Sequence, residues 1–372
     1  MCFLEDYPVP DYSIKDVARI AGVSISTVSN VLNKTRSVSQ KTIEKVEKVA
    51  NELNYQVDPI ARSLKDSRTG QIGVIVEDIC GVFYPYIIKG INSVAIEKGY
   101  NLIISDAQGM NGSESAVESE REIFNKFFNA RVDGIIFVTA AKIDALDDYF
   151  AKVKERANRK KYTPLVSIER DLTSVGIDSV YYDSLGNAKI AVQHLIDCGC
   201  KHIAHISGPS SMHVAQQRVV GYLSCMEQNQ MSVNMQTMIS YGDYSHQSGY
   251  KAMMELLEKF PQMDGVFCGN DQMAIGALKA LKLMGKRVPE DVKVIGYDDS
   301  FVATIAEPSI STIHVPKVSA GVKAAKLLFS LMGRKKDDPP REPVGYKMDG
   351  RLIVRNSTVL GNDEEDWLLS EW

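Results

Sequence analysis

The 372-residue chain has few of the features that mark disulfide-bonded, secreted or membrane proteins. Its six cysteines are scattered, and the one close pair, Cys198 and Cys200, lacks the CxxC spacing of redox or zinc sites. No apolar run approaches the eighteen residues that would cross a bilayer, and no signal-peptide core is visible. We therefore expect a cytoplasmic protein without a membrane partner, in which most thiols are small buried side chains.

Catalytic and cofactor motifs are lacking as well. The sequence contains no nucleophile elbow, P-loop, GxGxxG or HExxH pattern. His202 and His205 lie three apart on a predicted strand, so their side chains face opposite sides and cannot bind one metal ion. Asp298 and Asp299 end another strand and diverge in the same way. We therefore predict a protein that is not an enzyme and has no cofactor or metal.

Length and charge indicate several domains with different partners. A chain of this length exceeds the size at which one core keeps growing, so two or three domains are expected. Residues 13–65 hold nine Lys or Arg against five Asp or Glu, a net charge of +4 in a chain of −4. A basic head on an acidic body suggests that the head contacts a polyanion. Ordinary charge fluctuation is the alternative explanation of this balance.

The stretch SIKDVARIAGVSISTVSNVLN, residues 13–33, predicts two short helices joined by a tight turn. Ser13 and Asp16 are spaced as a capping box, Gly22 supplies the backbone freedom that ends the first helix, and Ser24 can cap the second. The inward positions are Ile14, Val17, Ala18 and Ala21, followed by Val28 and Val31. A third amphipathic helix follows in KTIEKVEKVANELN. Three short helices make a compact recognition unit near the lower size limit for independent folding.

The sequence IKDVARIAGVS followed by STVSNVLN resembles the N-terminal head of the LacI/GalR family of bacterial transcription regulators. The resemblance implies a helix-turn-helix whose second helix enters the DNA major groove. The DNA-contacting positions that it implies are Ser24, Ile25, Ser26, Thr27, Ser29, Asn30 and Asn33. Ile25, Ser26 and Asn30 correspond to base-reading positions, whereas Thr27, Ser29 and Asn33 suit phosphates.

Asn30 departs from the family pattern, because many relatives carry Arg at this position. An Arg side chain forms two hydrogen bonds to guanine, whereas an Asn side chain forms two to the N6 and N7 atoms of adenine. A head that only docks on another protein is the alternative reading of the three helices.

The segment LNYQVDPIARSLKDSRTGQ, residues 53–71, predicts a short helix that begins at the Asp-Pro pair of residues 58–59. With at most two turns, this helix forms only when something packs against it. The resemblance makes it the hinge helix, which pairs with its dimer mate in the minor groove. Leu64 then wedges between base pairs, with Arg62 and Lys65 near phosphates. A linker residue that covers the body is the alternative role for Leu64.

From residue 71 onward, short apolar runs alternate with helical patterns, first from QIGVIV to PLVSIER and again from SVYYD to KVIGYDD. This alternation predicts an α/β fold with two doubly wound parallel-sheet lobes. Ligands of such sheets lie beyond the carboxyl ends of the strands, so the cleft between the lobes is the expected site. The resemblance, which extends from about Ser13 to Thr358, implies lobes of periplasmic-binding-protein type.

The predicted domains follow from this organisation. They are a helix-turn-helix head over 13–57, a hinge helix and linker over 58–70, and an effector-binding and dimerisation domain over 71–360. The two lobes are placed at about 71–170 with 312–340, and at about 176–299 with 346–360.

The strand ends and the family pattern supply the candidate effector-binding residues. Those that align with the family's effector contacts are Arg170, Arg218, Asn270 and Asp298. Planar Arg forks, carboxylates and amides can bind a neutral polyol through several hydrogen bonds each. Phe83 and Tyr84 resemble the family's aromatic wall, whereas Asp271 resembles a helix N-cap. A structural cap or a salt bridge between the lobes is the alternative role for each of the four polar residues.

The resemblance implies a transcription repressor, a homodimer or tetramer, bound to a near-palindromic double-stranded DNA operator. A sugar or sugar derivative between the lobes would control its operator affinity. The ligand acts as inducer or corepressor, and a phosphorylated partner protein is a further alternative. The competing classes are a ligand-binding protein without DNA activity and a sugar enzyme.

Overall fold

The computed structural model describes residues 12–32, 37–55, 68–107, 114–139, 141, 146–159, 162–334, 338–339 and 341–361. The chain separates into two compact units, Met1–Thr69 and Gly70–Trp372. Each unit has a hydrophobic core of its own. None of the helices within the described ranges is long and apolar enough to span a bilayer.

The first unit contains three helices, α1 (Ile14–Ala21), α2 (Ile25–Leu32) and α3 (Gln40–Glu52). The buried core beneath them consists of valines and alanines only. Side chains this small let short helices pack closely around a tight turn. The prediction of a lightly built three-helix unit is therefore confirmed.

Local capping fixes the bounds of the first two helices. The Asp16 carboxylate accepts hydrogen bonds from the Ser13 backbone N–H at 3.1 Å and from its hydroxyl at 2.8 Å. Gly22 follows α1 with a φ of 58°, a left-handed conformation that favours glycine. The Ser24 Oγ then accepts a hydrogen bond from the Thr27 N–H at 3.1 Å, which begins α2. These predicted caps are confirmed.

The second unit alternates strands and helices along most of its length. Its strands are β1 (Gln71–Val76), β2 (Asn101–Asp106), β3 (Gly134–Phe137), β4 (Leu165–Glu169), β5 (Asp178–Tyr182), β6 (Ile203–Ser207), β7 (Ile239–Tyr241), β8 (Gly265–Cys268), β9 (Lys293–Ile295), β10 (Thr312–His314), β11 (Gly345–Met348) and β12 (Arg351–Ile353). Its helices are α4 (Tyr84–Glu97), α5 (Glu114–Ala130), α6 (Leu146–Asn158), α7 (Ser184–Asp197), α8 (His213–Gln228), α9 (Met235–Met238), α10 (His246–Lys259), α11 (Asp271–Leu283), α12 (Phe301–Ile305) and α13 (Lys317–Met332).

Two parallel sheets organise this unit. The first has the order β11-β5-β4-β3-β1-β2 and the second the order β7-β6-β8-β9. β10 and β12 form a separate antiparallel ladder. The inner strands β1, β3, β6 and β8 are almost entirely buried, as expected when helices cover both faces, whereas the edge strands β2 and β11 are not. The prediction of two doubly wound lobes is confirmed.

The boundary between the lobes differs from the prediction. The sequence places residues 176–299 and 346–360 in the second lobe, yet β5 pairs with β4 and β11 pairs with β5 in the first sheet. The connection from β4 to β5 contains only the 3₁₀ turn Thr173–Val175 in place of a covering helix. In the sequence, the missing helix resembles the end of a lobe. The alternation of strands and helices therefore places the passage of the chain into the second lobe too early. The chain leaves the first sheet after Tyr182.

Helix α13 returns to the first lobe, where it crosses α4 at very short range. A side chain on Gly321 would lie 2.1 Å from the Ile87 carbonyl oxygen, and one on Gly90 would lie 2.1 Å from the Val318 carbonyl oxygen. Only glycine permits this backbone approach.

The segments that join the lobes are held by a buried ion pair and a hydrogen bond to the same carboxylate. The Asp299 carboxylate accepts hydrogen bonds of 2.8 Å from both Arg355 and His314. Burial alone would raise the pKa of Asp299, but His314 and the Arg355 guanidinium hold it at about 2. Asp299 therefore serves the connection between the lobes, while the adjacent Asp298 points elsewhere, as predicted.

Candidate functional site

The first turn of α2 presents the candidate DNA-contacting side chains on an open face. Ser24 and Ser26 are exposed, and Ile25 retains 46% of its accessible surface although it is large and apolar. Val28 and Val31, on the opposite side of the helix, are buried in the core. An exposed Ile beside short hydroxyls is the surface that a recognition helix needs for base edges and thymine methyl groups.

The remaining candidates of the head lie farther along α2 or outside the described residues. Thr27, Ser29 and Asn30 are half-buried on α2. The Ser24 hydroxyl lies 2.8 Å from both the Ser26 and the Thr27 hydroxyls, so hydrogen bonds among these groups fix their positions. Four predicted DNA contacts fall outside the described residues, namely Asn33, Arg62, Leu64 and Lys65.

A cavity of about 570 Å³ lies between the two parallel sheets, within the size range of small-molecule sites. Each sheet contributes residues that follow the carboxyl ends of its strands, as predicted for such folds. Of the six predicted effector-binding residues, the structure brings Phe83, Tyr84, Arg218, Asn270 and Asp298 together in this cavity.

Arg218 is the central residue of the second-lobe wall. Its guanidinium stacks 3.8 Å from the centre of the Tyr297 ring and donates a 2.6 Å hydrogen bond to the Gly269 carbonyl oxygen. The side chain is buried, and its Nε has no hydrogen-bond partner among the described residues. These contacts fix the guanidinium at the cavity wall and leave the buried Nε hydrogen without an acceptor among the described residues.

Asp298 faces Arg218 across a gap longer than a hydrogen bond. Its Oδ1 lies 3.9 Å from the Arg218 Nη2 and accepts no hydrogen bond within the described part of the chain. Burial raises the pKa of Asp298 to about 7, although Arg218 and Lys317 oppose this rise. Because this oxygen is itself buried, the Asp298 side chain accepts a hydrogen bond through it only after turning toward the cavity that the residue lines.

The roles of Asn270 and Asp271 differ from the prediction. The Asn270 Oδ1 accepts a 2.9 Å hydrogen bond from the Met273 N–H, which makes Asn270 the N-cap of α11 as well as a lining residue. Asp271 is not the cap. Its carboxylate binds the Ser300 N–H and the Thr312 hydroxyl at 2.6 Å, so it ties α11 to the segments that join the lobes.

The structure does not bring Arg170 into the cavity. Arg170 is buried and donates a 2.5 Å hydrogen bond to the Ala141 carbonyl oxygen, and it does not line the cavity. Glu169 lines the cavity instead, with a φ of 70° at the end of the strand. Because this left-handed turn interrupts the alternation of side chains, counting along PLVSIER selects the wrong neighbour.

The first-lobe wall combines aromatic rings with carboxylates. Phe83 packs edge-on against Tyr84, with ring centres 5.2 Å apart, and against Tyr182 at 6.2 Å. The Tyr84 hydroxyl lies 2.7 Å from a Glu169 carboxylate oxygen and 3.2 Å from a Glu77 carboxylate oxygen. Phe83 and Tyr84 therefore occupy the predicted aromatic wall, but their closest polar neighbours are acidic.

Several lining residues escape the sequence reasoning. The missed acidic ones are Glu77, Asp78, Asp106, Glu169 and Asp243. Most of these residues end or directly follow a strand of a parallel sheet. Applied to β2 and β7 as well, the strand-end rule that selects Asn270 and Asp298 would have indicated this region, whereas at β1 and β4 it selected Phe83, Tyr84 and Arg170 in place of their acidic neighbours.

The two histidines singled out in the sequence have different surroundings, His205 on β6 and His202 just before it. His205 is fully buried, stacks on Phe267 with ring centres 4.6 Å apart, and hydrogen-bonds the Phe267 carbonyl oxygen at 2.8 Å. His202 is exposed. The prediction that both lie on one strand is wrong for His202, and the structure leaves one side chain exposed and the other buried. No cluster of three or more potential metal ligands occurs among the described residues.

A helical head with an open recognition face, joined in one chain to a two-lobed body with a polar cavity, defines a ligand-responsive DNA-binding regulator. Residues 13–58 match the family of bacterial regulatory proteins named lacI, and residues 192–358 match the periplasmic binding protein-like domain. The chain belongs to the LacI family of bacterial transcription regulators.

Individual relatives agree with this assignment over nearly the whole chain. The ribose operon repressor of Halalkalibacterium halodurans is 31% identical, over 95% of this chain and 99% of its own length. The PurR repressor of Vibrio campbellii is 34% identical, over 93% and 98%. The structure of the Lac repressor dimer bound to operator and the anti-inducer ONPF superposes with a TM-score of 0.82 at 27% identity, covering 94% and 100%.

Proposed function

We propose that the protein represses transcription as a homodimer bound to a near-palindromic operator, and that a hydroxylated small molecule in the cavity changes its operator affinity. Relatives named as repressors of a ribose operon and as PurR support this role. In this proposal the protein acts in the cytoplasm, where its operator is located, and works by binding without catalysing a reaction.

The observation that carries the proposal is that residues of both lobes line the cavity. Tyr84 and Glu169 line it from the first lobe, while Arg218 and Asp298 line it from the second. A ligand that contacts both walls favours one angle between the lobes. Such a ligand shifts the equilibrium between two states by its difference in affinity for them, typically about 1–3 kcal/mol.

In the DNA-bound state, α2 reads base edges with Ile25, Ser26 and Asn30. Ser24, Thr27, Ser29 and Asn33 approach phosphates, and Arg62, Leu64 and Lys65 act at the minor groove. The lobe angle determines the spacing of the two hinge segments in the dimer and hence whether they form helices on DNA. In the cavity the ligand contacts Phe83, Tyr84, Glu169, Arg218, Asn270 and Asp298.

A selection from genomic fragments, followed by gel retardation of the full chain at two salt concentrations, tests the DNA-binding role. We expect a selected near-palindrome whose affinity falls steeply with salt, because the protein displaces counterions from phosphates. Asn30→Arg should change the preferred base at one position per half-site, by about 1–3 kcal/mol of discrimination. The exposed Glu97→Gln on α4 is the matched control. If no fragment gives a salt-sensitive shift, the protein is not an operator-binding regulator.

A further inference from the structure

The cavity is strongly acidic for a site that binds a neutral polyol. Six of its lining residues carry carboxylates, whereas Arg218 is the one Lys or Arg that lines it in the described chain. The six are Glu77, Asp78, Asp106, Glu169, Asp243 and Asp298. Carboxylates gathered in a concave site raise the cost of one another's charge, and a cationic ligand relieves that cost.

Arg218 lowers the pKa of Glu169 through space, but it forms no hydrogen bond or ion pair with the first-lobe wall among the described residues. Its guanidinium is held on the second lobe by the Tyr297 ring and by the Gly269 carbonyl oxygen. Neither Glu77 nor Glu169 forms an ion pair with any residue in the described ranges. The two carboxylates therefore lack a cation of the protein's own at hydrogen-bond distance.

Glu77 and Glu169 also share too few hydrogen-bond donors. The Tyr84 hydroxyl carries one hydrogen, yet it lies 2.7 Å from an oxygen of Glu169 and 3.2 Å from an oxygen of Glu77. Burial and the neighbouring Glu169 raise the pKa of Glu77 to about 8, and burial raises that of Glu169 as well. The pair thus takes up either a proton or an external cation.

The opposite wall independently indicates a ligand. Asp298 is 7% exposed, lines the cavity, and its Oδ1 accepts no hydrogen bond within the described ranges. Because this oxygen is itself buried, a ligand donor satisfies it when the Asp298 side chain turns toward the cavity. The cavity therefore requires hydrogen-bond donors on both walls, and positive charge on the first.

We propose that the effector is a hydroxylated molecule with a protonated amine, whose ammonium group binds between Glu77 and Glu169 while its hydroxyls donate to Asp298. This inference rests on the proposed function, because it assigns the chemical class of the ligand in the same cavity. An ammonium offers three donors and a full charge, whereas a sugar hydroxyl offers one donor and none. The neighbouring Phe83 ring adds an aromatic face that a cation favours.

Matched pairs of sugars test the proposal with the full-length protein. The probes are D-glucosamine, D-galactosamine, D-mannosamine and 1-deoxynojirimycin, each compared at pH 7 with its neutral parent hexose, and the readout is thermal shift followed by calorimetry. We expect at least one amine to raise Tm, and to bind at least tenfold more tightly than its parent. Ligand binding to the native state raises apparent stability in proportion to affinity and concentration.

Charge-neutralising variants locate the ammonium. Glu77→Gln and Glu169→Gln should each weaken amine binding about 10- to 100-fold, because each removes a charge-assisted hydrogen bond. The Glu97→Gln control should leave the affinity unchanged. Two carboxylate variants are made so that the test still works if one of them does not fold. The Tm without ligand shows whether each variant is folded.

Three outcomes would overturn the proposal. The first is a neutral hexose that binds as tightly as its amine, and the second is a panel in which no amine raises Tm. The third is an amine whose affinity survives both Gln substitutions. Operator retardation without ligand is measured in parallel. A protein that shifts operator DNA but fails the amine tests refutes the ligand class alone, whereas one that binds no DNA refutes the regulator.

Discussion

The head and the cavity hold their functional side chains in opposite environments. On α2, Ser24, Ile25 and Ser26 are exposed, and a separate row of valines carries the packing. In the cavity, Arg218 and Asp298 are 6% and 7% exposed and belong to the buried structure of the second lobe. Recognition and folding are therefore separable in the head, whereas in the cavity the same atoms serve both.

Arg218→Met tests the cavity side of this comparison and should have the largest effect. The substitution removes a donor to the Gly269 carbonyl oxygen and the guanidinium that lies 3.9 Å from the Asp298 carboxylate. We expect a loss of about 3 kcal/mol in the free energy of unfolding, measured by urea denaturation at pH 8, together with loss of the effector response. At pH 5.5 the loss should shrink, because Asp298 has a pKa of about 7 and is then protonated.

The matched control is Arg287→Met, because Arg287 pairs with Asp291 on the surface and is 69% exposed. This control should leave the unfolding free energy nearly unchanged, because solvent screens the exposed pair. Equal effects of the two substitutions would show that the burial of Arg218 does not contribute to stability.

Glu77→Gln should separate binding from stability within the cavity. The groups around Glu77 are Tyr84, Asp78, Asp106 and Glu169, and burial with this acidic surrounding raises its pKa from 4.5 to about 8. Because the pKa is raised on folding, the stability that protonation of Glu77 contributes is fully present below pH 4.5. It is lost as the pH rises through 8. Gln cannot lose that proton. At pH 8.5 the ligand-free variant should therefore be more stable than the wild type, by about 1–2 kcal/mol.

The same comparison at pH 5 supplies the control, since Glu77 is then protonated and resembles Gln. Thermal unfolding at both pH values decides the matter. A stability difference that does not grow from pH 5 to pH 8.5 would contradict the assigned environment of Glu77.

The head could be predicted almost residue by residue, because its determinants are local. The Ser13 and Asp16 pair, Gly22 and Ser24 act within three or four residues of chain, and each cap is found where its spacing predicts. The strands and helices of the body follow equally well from periodicity. Which sheet a strand joins does not, as β5 shows, because that choice depends on pairing between distant segments.

The cavity was predictable in position but not in charge. Strand ends correctly indicate Asn270 and Asp298, while a single left-handed residue exchanges Arg170 for Glu169. That exchange replaces a cation with an anion in the inferred site. Resemblance to a family predicts the location of a site more reliably than the charge of its lining. A change in one backbone dihedral is enough to exchange the side chain that faces the ligand.

Ser24→Ala should have a smaller effect, confined to the head. The Ser24 hydroxyl accepts the Thr27 N–H and also lies beside the Ser26 and Thr27 hydroxyls. Losing this cap should cost about 1 kcal/mol of helix stability. Hydrogen exchange of the α2 amides in the full chain measures that loss, with Ser26→Ala as the control that retains the cap. Unchanged protection of α2 would show that the cap does not stabilise the helix.

Ile25→Ala should have the smallest effect on stability, and it isolates recognition from folding. Ile25 is 46% exposed at the start of α2, so its truncation should change the unfolding free energy by less than about 0.5 kcal/mol. Operator affinity, measured by fluorescence anisotropy, should nevertheless fall about tenfold, because the side chain no longer contacts base edges. Ile20→Ala on α1 is the matched control, since Ile20 is 45% exposed and was not assigned to the DNA-contacting set. If both substitutions weaken operator binding equally, α2 has no special role in reading DNA; if only Ile25→Ala does, the head recognises DNA through atoms that contribute little to its own folding.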